Sequence, residues 1–78
     1  MKTMTCRQLG GACEEQFTAE TFKEIAQQSR EHGMEMFQKG DAAHIQAMEG
    51  MQELMSKPGS METWIMEKEK EFNELQEN

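Results

Sequence analysis

TFKEIAQQSREHGMEMFQK, residues 21–39, is the stretch whose reading decides the fold. Phe22, Ile25, Ala26, Ser29, Gly33, Met36 and Phe37 recur at helical spacing and line one face for about five turns. Thr21 with Glu24 three residues on forms a capping box, and Gly40 ends the pattern. The spacing predicts a central helix over 21–39, with Phe22, Ile25 and Phe37 as its most buried side chains. Gly33 inside a helix costs roughly 1 kcal/mol relative to Ala. Its place on the apolar face predicts a close crossing by another element; a break at His32-Gly33 is the competing expectation.

Upstream, Lys2 to Cys6 alternates weakly, Gly10-Gly11 interrupts the chain, and Glu14 to Thr18 forms a second extended run. An antiparallel pairing with Cys6 opposite Cys13 sets Met4 against Glu15 and Lys2 against Phe17. Met4, Cys6, Cys13 and Phe17 then share the face toward the helix. Downstream, Asp41 is the expected N-cap of a second helix over 41–56, striped by Ile45, Met48, Gln52 and Met55. Lys57-Pro58-Gly59 punctuates the chain, since Pro58 disfavours helix before it and Gly59 permits a tight reversal. Ser60 is the expected cap of a third helix over 60–76, striped by Met61, Trp64, Ile65, Lys68, Phe72 and Leu75. The expected fold is one α+β domain over 1–78: a hairpin at 2–20 packed on the first of three amphipathic helices.

The 78 residues are 36% apolar and include nine methionines, so the core is small and built partly from a flexible side chain. Burial of a face against a second copy, as a homodimer, is the expected remedy; a further protein or small-ligand partner is not identified. The net charge of −7 argues against nucleic acid and against anionic membrane surfaces, because the eight Lys and Arg are scattered among acidic neighbours. No apolar run has the length of a signal peptide or a membrane span. A cytoplasmic protein is the expectation, with its two cysteines reduced.

Cys6-Arg-Gln-Leu-Gly-Gly-Ala-Cys13 is the sharpest local feature. Three readings stand: buried apolar residues, a disulfide or redox pair, and metal ligands spaced more widely than in a common zinc knuckle. His32 and His44 would complete a Cys₂His₂ set suited to zinc, provided that the fold joins all four. Met34 and Met36 near His32, and Met48, Met51 and Met55 beyond His44, contain donors that Cu(I) prefers. At helical spacing, however, they read first as core or contact surface. No catalytic constellation is present in the spacing, so an enzyme is the third expectation, behind a self-associating interaction module and a metal or redox protein.

The order Cys6-x-x-Leu9-Gly10-x-x-Cys13, then Thr21-x-x-Glu24, then His32, resembles a family of small bacterial proteins catalogued as domain of unknown function 1059. The resemblance spans residues 2–32. It implies that Cys6, Cys13 and His32 act together, structurally or as a site, and it brings no activity with it. The Met-rich part from Met34 onward lies beyond the pattern.

Overall fold

A computed structural model describes residues 1–78. Thr21 caps the start of α1 (Phe22–Gln38) as expected, accepting a hydrogen bond from the backbone N–H of Glu24 at 3.2 Å. The Glu24 carboxylate accepts from the Thr21 hydroxyl at 3.0 Å and not from its backbone N–H as in a full capping box. Gly40 closes the helix with φ of 74°, its N–H donating to Phe37 while the N–H of Asp41 reaches back to Met36. These are the two bonds of a Schellman ending, and they satisfy carbonyls that the last turn leaves open. Asp41 also opens α2 (Ala42–Met55), its carboxylate accepting from the backbone N–H of His44 at 3.0 Å. One residue therefore ends a helix with its backbone and starts the next with its side chain.

Gly33 does not break α1. A Cβ at that position would stand 3.1 Å from the terminal methyl of Met48, so α2 crosses α1 closely at the glycine. Lys57-Pro58-Gly59 then turns the chain into α3 (Ser60–Glu74). Here Gly59 rather than Ser60 occupies the cap, with φ of 77°, and Ser60 is the first helical residue. No helix is long and apolar enough to cross a membrane.

The hairpin is real but its register differs from the expectation. Strand β1 (Lys2–Thr5) pairs antiparallel with β2 (Gln16–Ala19), setting Lys2 against Ala19 and Met4 against Phe17. Cys6 faces Glu15, not Cys13, its N–H donating to the Glu15 carbonyl at 2.8 Å. A short 3₁₀ turn over Arg7–Leu9 takes up chain between the strands and moves the pairing along by two residues. Because side chains alternate with a period of two, such a shift keeps every residue on its original face. Met4, Cys6 and Phe17 are accordingly buried, as expected, and Ala19 joins them.

The core consists of Met4, Cys6, Leu9, Phe17, Ala19, Ile25 and Phe72, with Cys13, Phe22 and Leu75 packed around it. Phe72 brings α3 onto the hairpin: its ring meets Phe22 edge-on at 6.1 Å and lies under the Lys2 ammonium. Ile25 is fully buried and Phe22 partly so, but Phe37 is 57% exposed. In the last turn of α1, Met36 is the partly buried residue, and Phe37 beside it turns to solvent. This core is small for 78 residues, and domains of that size commonly need a further cross-link.

Candidate metal centre

Cys6 follows β1 and caps the 3₁₀ turn that begins there. Its carbonyl accepts the N–H groups of Leu9 and Gly11, and the Arg7 N–H donates to the Cys13 carbonyl at 2.9 Å. These bonds curl residues 6–13 into a closed loop that carries both cysteines toward the helices. His32 comes to the loop from the middle of α1 and His44 from the first turn of α2. Cys6 Sγ lies 3.6 Å from His44 Nε2, and Cys13 Sγ lies 3.3 Å from His32 Nε2. One donor atom from each of Cys6, Cys13, His32 and His44 falls within 4.8 Å of the other three.

That spacing can be set against zinc itself. Zn–S bonds of about 2.3 Å and Zn–N bonds of about 2.0–2.1 Å fix the S···N edge of a tetrahedron near ~3.6 Å. The two S···N separations match that edge within a few tenths of an ångström. The longest separation in the group requires inward movement of about 1 Å, within the reach of side-chain rotation. All four residues named from the sequence are therefore brought together, although their separations along the chain follow no local motif.

The surroundings prepare Cys6 more than Cys13. Burial pushes the Cys6 thiol up, yet the backbone N–H of Cys13, the His44 ring and the backbone N–H of Ala12 outweigh it, leaving the group below its ordinary value. Cys13 moves the other way, raised by burial and by the neighbouring Cys6, with partial relief from the Glu15 backbone. His44 is raised chiefly by its hydrogen bond to Asp41, against the opposing effect of burial, with a further contribution from Cys6. Both cysteines are free thiols. Binding of a dication would require Cys6 to give up its thiol proton and His44 to present a neutral Nε2.

Sequence reasoning identified Asp41 only as a cap. Its Oδ2 also meets His44 Nδ1 at 2.6 Å, and His44 is almost entirely buried. A carboxylate on Nδ1 fixes the tautomer that leaves Nε2 free to bind a metal, the usual outer support of a metal-bound histidine. The Asp41-x-x-His44 spacing carries this signal, because an N-cap carboxylate lies beside the residue three positions on. His32 is held by packing instead, edge-on to Phe17 at 5.6 Å and to His44 at 5.2 Å.

Gly11 has a comparable second role. A Cβ there would stand 2.2 Å from Cys6 Sγ, so the sulfur occupies the space that a side chain would fill.

Asp41→Asn tests the outer support. Asn retains the cap, so helicity and unfolding temperature are expected to change little. Zinc affinity should fall about 10–100-fold, the usual cost of removing such a partner. Equal zinc affinity in Asp41→Asn and the parent chain, by competition with a chromophoric chelator, would show that Asp41 serves only as a cap.

No protein-family model, curated protein or solved structure matches the chain.

Proposed function

We propose that this chain is a zinc-binding module in which Cys6, Cys13, His32 and His44 close a four-coordinate site whose role is structural. The observation that carries this reading is the convergence of all four donors within 4.8 Å. The donor set favours zinc: two thiolates with two imidazoles suit a tetrahedral d¹⁰ ion, whereas Cu(I) would draw on sulfur more heavily. Four protein ligands leave no position for substrate, which favours a structural over a catalytic metal.

The ligands come from the hairpin loop, α1 and α2, so the ion would tie together three elements that otherwise share few buried side chains. On this reading the resemblance over residues 2–32 supplies three of the ligands. His44, outside it, completes the set.

The test is titration of metal-free, reduced protein with Zn(II) and with Co(II) as a spectroscopic substitute, followed by native mass spectrometry. One metal per chain is expected, with the thiolate-to-cobalt absorption of a mixed sulfur–nitrogen tetrahedral site. Cys6→Ser and His44→Ala should each lose it. No uptake at micromolar zinc, or uptake unchanged in both variants, would refute the assignment.

A further inference from the structure

A groove of about 710 Å³ lies between α1 and α3, with Leu9 and Met51 also in its lining. Its apolar walls include Phe22 from α1, Met55 from α2, and Met61, Trp64 and Ile65 from α3. Met61 is 50% and Ile65 37% exposed. The molecule is a slab, 33 × 30 × 15 Å along its principal axes. A folded monomer of 9.0 kDa is expected to expose about 4,900 Å², and this chain exposes 5534 Å². A standard interface takes about 800 Å² from each partner, and the excess is most of that area.

We infer that the groove is the interface of a two-fold homodimer, in which α3 of each copy lies across the groove of the other. Three observations favour a second copy. The exposed Met61 and Ile65 are both the wall of one groove and an apolar strip able to fill another, which is the self-complementarity a two-fold axis demands. The area in excess is of the order that a dimer removes. The charges also match: Lys23 and Arg30 line the α1 side of the groove without an ion pair, and Glu69 lines the α3 side, also without one. Glu62 in the first turn of α3 is likewise unpaired.

Laying α3 across the partner's groove brings the Glu62–Glu69 edge to Lys23 and Arg30. Such rim pairs set register rather than affinity. The apolar contact must supply the affinity, so salt that screens repulsion between two chains of net charge −7 leaves the dimer intact or tightens it.

Trp64 is the sole tryptophan and stands in the groove, so it reports occupancy directly. Sedimentation velocity of the full metal-loaded chain across a micromolar concentration series is the test, with Trp64 emission recorded on the same samples. A species of twice the monomer mass is expected, with emission shifting to the blue as it forms. Ile65→Glu should raise the dissociation constant at least ~30-fold, as for a central interface residue, while metal stoichiometry and helicity stay as in the parent. Met61→Glu, at a more exposed position, gives the same reading should Ile65→Glu disturb α3. A monomer at every concentration, or a dimer that neither variant weakens, would overturn the inference. Because both variants lie outside the ligand set, this failure is distinct from loss of zinc.

Discussion

Removing zinc from the loaded protein is expected to lower its unfolding temperature by more than ~10 °C and to make Cys6→Ser resemble the metal-free parent. A ligand that binds only the native state at one hundred times its dissociation constant adds about 2.7 kcal/mol. At about 4–8 °C per kcal/mol for a domain of this size, that alone exceeds ten degrees. Structural zinc sites often contribute far more, with apparent binding energies of about 10–16 kcal/mol in zinc-finger peptides. Against this stands a core of seven buried apolar residues, one of which is Cys6 itself. Without the ion, the loop at residues 6–13 meets α2 through the Cys6–His44 contact at 3.6 Å and the close approach of Gly10 to Met51. Thermal unfolding followed by far-ultraviolet circular dichroism, with and without a chelator, is the measurement. Equal midpoints for loaded, stripped and Cys6→Ser protein would mean that the four donors hold no stabilising ion.

The sequence was most legible where one residue type has one local job. Thr21 with Glu24, Asp41, Gly40 and the Pro58-Gly59 step placed the helix ends within one or two residues, because caps and left-handed glycines act over a single turn. It was least legible where distant elements decide. The hairpin register depends on a 3₁₀ turn at Arg7–Leu9 whose residues carry no distinctive turn chemistry. Phe37 fits the apolar stripe of α1 but is exposed, because periodicity gives a face and not the extent of what covers it.

The four candidate ligands fall between these cases. Their residue types announced a Cys₂His₂ set, but 19 residues separate Cys13 from His32 and 38 separate Cys6 from His44. The short turn from α1 into α2, with the close approach of Met48 to Gly33, sets the two histidine rings 5.2 Å apart.

Gly11→Ala should abolish zinc binding, although it adds a single methyl group at a residue that is not a ligand. The new Cβ would lie 2.2 Å from Cys6 Sγ and 3.0 Å from the Cys6 carbonyl oxygen. Two responses are open to the molecule. Cys6 can rotate about its one free side-chain torsion, which swings the sulfur away from His44. Alternatively the loop can shift, which breaks the Gly11 N–H bond to the Cys6 carbonyl at 2.9 Å and carries the whole residue off the site. Either response removes the most deeply buried sulfur from the ligand set, so affinity should fall by orders of magnitude, as when a ligand is deleted.

Gly50→Ala provides the matched control. Gly50 lies within α2, and nothing stands within 4 Å of a Cβ added there. That change should raise stability by about 0.5–1 kcal/mol through helix propensity and a less flexible unfolded chain, with zinc affinity unchanged. The same substitution at two glycines is therefore expected to act in opposite directions. Isothermal titration with zinc and thermal denaturation of both variants decide the matter. A Gly11→Ala protein that binds zinc as the parent does would show that Cys6 is not held against Gly11, and the loop geometry on which the metal centre rests would be wrong.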